Sequence, residues 1–342
     1  MTKGRTGCPA LRRIRPGGSM TDHVRPEEHA DPVAAVLSAR RTGAALSLTT
    51  SGSTGPTPRR VLRTTESWWG CFPAYSDLTG VRRGARVWVP GTLRSTMNLF
   101  AAVHAAWAGA ELVAGAQSAT HACLTPAQLE RRGSDLPAGA RIVVAGAGLP
   151  DGVAAAARQR GLRIDHYYGA AELSFVAASD AGDGRLRPFP GVEVEVRDEP
   201  VTGTIWVRSD WVCDGYDGPP GSLRRAEDGW ASVGDLGRLD GSVLTVLGRP
   251  DAVVTAGATV LVSDVEAVLR PVARGTVVVH GVPHPSLGEV VAVTLTDGRD
   301  RAGLEHVARA RLPVSHRPRV WRVVPELPLT EAGKVDRAAL GR

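Results

Sequence analysis

Apolar and polar positions change their rhythm twice along this chain. Residues 31–41 (DPVAAVLSARR) read as a short helix, with Asp31 at the cap and Pro32 at the first helical position. An apolar strand, Ala44–Thr49, then runs straight into the polar stretch TTSGSTGPTPRR. From there to about residue 180, strand-like runs alternate with alanine-rich helical stretches. Strands are expected at Arg86–Val89, Glu111–Ala114, Arg141–Ala145 and Leu162–Tyr167, and helices at Asn98–Ala108 and Gly152–Arg160. That alternation predicts an α/β architecture with parallel strands. After residue 186 short β runs take over: VEVEVRD, GTIWVRSD and SVLTVLGR. The block after Arg249 predicts a helix at Ser263–Leu269, strands at Thr276–Val279 and Val290–Leu295, and a helix at Arg301–Arg311. The expected organisation is a disordered leader over 1–30, a large unit over 31–250 and a small one over 251–342.

Composition alters this picture little. Of 342 residues, 43% are hydrophobic and 22% charged, which is ordinary for a globular chain. The net charge of +6 would suggest a nucleic-acid partner, but Lys3, Arg5, Arg12, Arg13 and Arg15 place +5 of it in the first 20 residues. The +1 left for the remainder is no footprint for a phosphate backbone, so no nucleic-acid partner is expected. The leader lacks a long apolar run, which excludes a secretory signal or membrane span there. Cys8, Cys71, Cys123 and Cys213 are widely spaced with no CxxC pair, the pattern of a reduced cytoplasmic protein without structural zinc.

Three loops hold candidate chemistry. Thr50-Ser51-Gly52-Ser53-Thr54-Gly55 combines glycines with hydroxyls, so that backbone N–H groups and side chains converge on an anion; it is not a Walker A loop, because no GK[ST] follows. Ala145–Gly152 mimics a dinucleotide fingerprint, with Asp165 nineteen residues after Gly146. Asp151 occupies the place of the third glycine, however, and Pro150 crowds the turn. Near the end, PLTEAGKVDR presents Lys334 on a turn behind Gly333, where its ammonium can act as a point charge for a phosphate.

These loops stand in a fixed order with further motifs: HYYGAAE at His166–Glu172, GTIWVRSDWVCDGY at Gly203–Tyr216, GWASVGD at Gly229–Asp235 and GRPD at Gly248–Asp251. In this order they resemble the AMP-forming adenylating superfamily of acyl-CoA synthetases, peptide-synthetase adenylation domains and luciferases, from about residue 44 to the end. The compact length is similar to that of some o-succinylbenzoate–CoA ligases. The resemblance implies a large N-terminal α/β domain of layered sheets and helices and a small C-terminal α+β lid. It implies activation of a carboxylic acid by ATP and Mg²⁺, then thioester formation with coenzyme A. Thr50, Ser51, Gly52, Ser53, Thr54 and Gly55, with Arg59, would hold the departing phosphates. Glu172 would bind Mg²⁺, Asp235 and Arg249 the ribose, and Tyr168, Gly169, Ala147 and Gly148 would flank adenine. Lys334 would bridge carboxylate and α-phosphate, and Asp251 would be the hinge. Acid contacts are expected around Thr92–Asn98, His104, the Gly146 loop and Ala170–Phe175, where Ala170, Leu173 and Phe175 hint at an apolar or aromatic acid.

The chain departs from the family pattern in places. Arg59 stands for the loop lysine after one inserted residue, Ala171 and Val233 replace threonines, and the section before the phosphate loop is almost absent. A missing hydroxyl at Ala171 costs about 1–3 kcal/mol if nothing replaces it. Two other readings therefore stand beside the ligase: an enzyme loading a carrier-protein thiol, and a non-catalytic nucleotide-binding relative.

Overall fold

Branched apolar residues in the middle of the chain form strands that are buried on both faces. Ile142 and Val144 of the strand Arg141–Val144 enter one hydrophobic core, and Val143 between them enters another. Such two-sided burial is what a parallel sheet requires. The computed structural model describes residues 23–50, 59–179, 184–198, 202–218, 220–248, 252–255, 258–285, 287–331 and 333–341. Glu111–Val113, Arg86–Trp88, His121–Leu124, Arg141–Val144 and Arg163–Ala170 lie side by side and parallel, and Ser174–Ala178 and Arg187–Pro188 extend the sheet antiparallel. One face is covered by the helices Pro126–Arg132 and Asp151–Gln159, through Leu129, Val153 and Ala157. The other meets the helix Thr96–Trp107 and an aromatic group of Trp68, Phe72, Tyr75, Phe100 and Phe175.

A second sheet joins His23–Val24, Ala45–Thr49, Arg60–Arg63 and Gly215–Asp217. A third, antiparallel, is built around Gly203–Arg208, with Glu193–Arg197, Ala231–Ser232 and Leu236–Asp240 as neighbours. The fourth contains Ala252–Thr255, Ala258–Leu261, Val277–His284, Gly288–Leu295 and Val320–Val323. Among the described residues its buried core runs from Val253 to Leu312, including Val265, Leu269, Leu304 and Ala308 from two helices, with Trp321 packed against it.

The helix Arg301–Arg311 has the expected ends, and Pro32–Thr42 is capped as expected, Asp31 accepting from the Ala34 N–H at 3.0 Å. The leader was placed too long. His23 and Val24 already pair in parallel with Ala45 and Leu46, and Arg60 forms an ion pair with Glu27. His23–Val24 therefore form an edge strand of the second sheet and Pro26–Glu28 a short 3-10 turn after it, while 1–22 lie outside the described residues. The strand His121–Leu124 and the helices Glu66–Trp69 and Phe72–Thr79 add to the elements read from the sequence. HACL has too short an apolar run to register, being followed at once by the Thr125 capping box of the next helix.

Candidate active site

The glycine-rich segment connects two antiparallel strands. Ala45–Thr49 and Arg60–Arg63 pair in register from Leu46–Arg63 to Thr49–Arg60, and the Thr50 N–H donates to the Arg59 carbonyl at 2.8 Å. This fixes Thr50 and Arg59 as the two feet of the loop. Thr96 Oγ1 donates to the Thr49 carbonyl at 2.6 Å and Thr49 Oγ1 to the Arg94 carbonyl at 2.5 Å, tying those feet to the start of the helix Thr96–Trp107. Ser51, Gly52, Ser53, Thr54 and Gly55 lie outside the described residues, as do Arg249 and Asp251.

Strand Arg163–Ala170 and its hairpin partner Ser174–Ala178 deliver the next group. The Tyr168 hydroxyl donates to Asp235 Oδ2 at 2.8 Å, bringing together two residues 67 positions apart. The Asp235 carbonyl accepts from the Ile205 N–H at 2.9 Å, which anchors the aspartate to the third sheet. In the turn after Ala170, Glu172 is buried and accepts from the Tyr216 hydroxyl at 2.9 Å, while its carbonyl accepts from the Cys213 N–H at 2.7 Å. Burial and the Glu172 charge push the Tyr216 hydroxyl up to about 12, so it remains a donor. Among the described residues no cluster of three or more His, Cys, Asp and Glu side chains is present. One buried carboxylate suits a cation held mostly by phosphate oxygens and water, the habitual mode of Mg²⁺.

Lys334 sits in a tight turn. Thr330 and Lys334 exchange backbone and hydroxyl bonds, with the Thr330 N–H donating to the Lys334 carbonyl at 2.7 Å, and Leu329 bridges Val335. Gly333 has φ 75°, and a Cβ there would stand 2.6 Å from Gln128 Nε2, so both conformation and packing demand glycine. Thr125 Oγ1 donates to the Gly333 carbonyl at 2.6 Å. The contact continues where Glu130 accepts from the Thr276 and Thr296 hydroxyls, each at 2.5 Å, and where Arg131 meets Glu326 at 3.0 Å. The helix Pro126–Arg132 is thus the seat of the C-terminal unit.

That seating puts Lys334 in the wall of a pocket with Ser95, Thr96, Met97, Gly146, Gly169, Ala170 and Ala171, whose remaining walls are Arg63, Trp68, Phe100, Tyr167, Ser174 and Phe175. A methyl group on Gly146 would stand 3.3 Å from Lys334 Cε. Of the expected acid contacts, Ala170 and Phe175 line the pocket and Leu173 does not; Leu173 is packed in the core. His104 is also a core residue: it is fully buried, with Nε2 2.8 Å from Ser76 Oγ and its ring against Phe72 and Tyr75. The dinucleotide-like loop has a packing role. Asp165 pairs with Arg141 at 2.5 Å, and Gly152 lies where a Cβ would overlap the Arg274 carbonyl at 2.2 Å. The Ala147 carbonyl oxygen lies 3.4 Å from His166 Nε2, and Gly148 faces Arg270. Cys71 and Cys123 are buried, their thiols pushed up to about 12 by burial, and Cys213 to about 11, which leaves them inert as nucleophiles.

The sequence reading missed Arg63. The strand RVLR alternates half-buried and buried positions, so Arg63 follows Val61 onto the inner face. A charge at an inward position of an alternating strand was the available signal.

With this geometry in place, comparison with known proteins is informative. The family model described as AMP-binding enzyme matches residues 29–217. A probable 2-succinylbenzoate–CoA ligase of Mycobacterium tuberculosis is 31% identical, covering 98% of this chain and 94% of the relative, so that relative is similarly short. The Bacillus subtilis protein described as the uncharacterized acyl–CoA ligase YhfT is 27% identical over 84% of the chain and 66% of its own length. Among solved structures, an Escherichia coli MenE variant with bound OSB-AMS superimposes with a TM-score of 0.70 at 23% identity, covering 86% of this chain and 68% of that one. The amide bond synthetase McbA from Marinactinospora thermotolerans gives 0.66 at 28% identity over the same shares.

Proposed function

Because the chain belongs to the AMP-binding enzyme family, and is an AMP-forming acid–CoA ligase using ATP, Mg²⁺ and coenzyme A, we propose that its chemistry takes place in the pocket shared by Lys334, Gly146 and Ala171. A carboxylate oxygen attacks the α-phosphorus, the bond to the β-phosphate oxygen breaks, and pyrophosphate leaves. Lys334 stabilises the charge that develops between carboxylate and α-phosphate, as a preorganised cation does in a water-poor site. The segment between Thr50 and Arg59 receives the departing phosphates. Asp235 accepts from the ribose hydroxyls, with Tyr168 orienting it through their mutual bond. Glu172 would hold Mg²⁺, which would supply neutralisation of the phosphate charge. Gly169, Ala147 and Gly148 border the adenine side, and Arg249 assists at the ribose.

Residues 251–342 act as a mobile lid that pivots near Asp251, withdrawing Lys334 once the adenylate has formed so that the coenzyme A thiol can attack the acyl carbon and release AMP. The carrying observation is the Thr125–Gly333 bond, which brings a lysine 188 positions after Gly146 into the same pocket wall. The test is acid-dependent pyrophosphate release across aliphatic, aromatic and dicarboxylic acids, with and without coenzyme A. Acid-dependent release followed by thioester on adding coenzyme A supports the reading. Adenylation without transfer to coenzyme A points to a carrier-protein thiol, and nucleotide binding without release under any acid points to a non-catalytic protein.

A further inference from the structure

The reaction described above gives no task to Tyr216, which closes the motif Gly203–Tyr216. The short segment that ends in this tyrosine grips Glu172 at two points. The Cys213 N–H donates to the Glu172 carbonyl at 2.7 Å, and the Tyr216 hydroxyl donates to Glu172 Oε1 at 2.9 Å. One segment thus holds both the backbone and the side chain of Glu172, which fixes the direction of its carboxylate. The tyrosine is itself fixed. Its strand, Gly215–Asp217, pairs antiparallel with Arg60–Arg63, and Tyr216 lies opposite Val61. Its hydroxyl also accepts from the Leu223 N–H at 3.0 Å, and a Cβ on Gly221 would stand 2.3 Å from its ring carbon Cζ.

The two oxygens of Glu172 are therefore unlike. Oε1 is engaged by the hydroxyl, whereas among the described residues Oε2 has no hydrogen-bond or ion-pair partner. Glu172 is only 5% exposed, so little bulk water reaches the carboxylate to replace the tyrosine. A carboxylate with both oxygens available can chelate one cation through the pair. With one oxygen held by a buried donor it offers a single ligand atom. Ca²⁺ readily takes a carboxylate through both oxygens and tolerates a crowded, irregular shell, whereas Mg²⁺ demands a near-octahedral set of single oxygens.

Resting on the adenylation reading, with Glu172 as its Mg²⁺ ligand, we infer that Tyr216 is a positioning residue that sets metal specificity. By occupying Oε1 it restricts Glu172 to one-oxygen coordination and so favours Mg²⁺ over Ca²⁺. Tyr216 acts through Glu172 and needs no contact of its own with metal, nucleotide or acid.

The test measures ATP affinity by equilibrium dialysis without acid, in Mg²⁺ and in Ca²⁺, for wild type, Tyr216→Phe and Glu172→Gln. Acid-dependent pyrophosphate release is followed in each metal beside it. The wild type should bind ATP about 10-fold more tightly with Mg²⁺ than with Ca²⁺, the scale of one hydrogen bond to a charged group. In Tyr216→Phe that ratio should fall toward one, mainly through tighter binding with Ca²⁺, and release in Ca²⁺ relative to Mg²⁺ should rise by a similar factor. Replacing Tyr216 by 4-aminophenylalanine, which restores a donor on the same ring, should recover the wild-type ratio; with the wild-type ratio itself, it decides the matter should the Phe variant fold poorly. An unchanged ratio in Tyr216→Phe would overturn the inference and leave adenylation and the Glu172 assignment intact, marking the tyrosine as a packing residue. Equal ATP affinity with both metals in the wild type would overturn it as well. A metal response that Glu172→Gln leaves untouched would take the metal from Glu172 and the inference with it. No release with any acid in Mg²⁺ would remove the adenylation reading, and with it the role claimed for Tyr216.

Discussion

Thr125 Oγ1 donates to the Gly333 carbonyl at 2.6 Å, so the residue that caps the helix Pro126–Arg132 also holds the lysine-bearing turn in place. One buried neutral bond of this kind contributes about 1 kcal/mol. Thr125→Val should therefore slow acyl-adenylate formation by about 5-fold, with thioester formation from supplied acyl-AMP unaffected. Separate half-reaction assays check this; equal slowing of both would locate the role of Thr125 elsewhere.

Gly333 joins a left-handed backbone to close packing on Gln128. Gly333→Ala carries a strain of order 1–3 kcal/mol in the seated conformation. Adenylation should fall by about 10- to 100-fold. Thermal unfolding followed on the same sample should shift by only a few degrees, because the strain is confined to a turn at the surface of the contact.

Glu172 is the buried carboxylate assigned to Mg²⁺. Glu172→Gln keeps the shape and the bond from Tyr216 and removes the charge. Pyrophosphate release should drop by about 100-fold or more and the Mg²⁺ concentration giving half-maximal rate should rise, as measured by metal titration at fixed ATP. An unchanged Mg²⁺ dependence would take the metal away from this residue.

His104 offers a prediction on pH. Burial pushes its imidazole down to about 4, below the ordinary histidine value near 6.5. The folded state thus favours the neutral ring. Its contribution to stability is fully present above the unfolded value and is lost as pH falls through about 4. Between pH 7.5 and pH 5, the stability gap between wild type and His104→Gln should narrow by about 2 kcal/mol in urea unfolding. A gap that stays constant would mean the ring is protonated at no cost to the fold.

Much of this was legible before any coordinates. The helix Arg301–Arg311 and the capped helix Pro32–Thr42 follow from local pattern, and the parallel strands from their branched apolar runs. Glu172, Asp235 and Lys334 stand out in the sequence because ordered motifs contain them, and the structure seats Lys334 in the pocket wall. What stayed hidden depends on contacts between distant segments. Arg63 looks like one more arginine in a basic stretch until the sheet turns it inward. Leu173 directly follows the motif that supplies pocket residues, yet the turn directs it into the core. The glycine at 152 mimics a nucleotide fingerprint, and only the arrival of the Arg274 backbone explains it.

The central claim, that Lys334 serves adenylation in this pocket and leaves it for thioester formation, is tested most directly by following both half-reactions in Lys334→Ala. Acyl-adenylate formation from acid and ATP should fall by about 100-fold or more. Transfer of the acyl group from supplied acyl-AMP to coenzyme A should stay within a few-fold of wild type. Retained adenylation in the variant, or an equal loss in both half-reactions, would contradict the account.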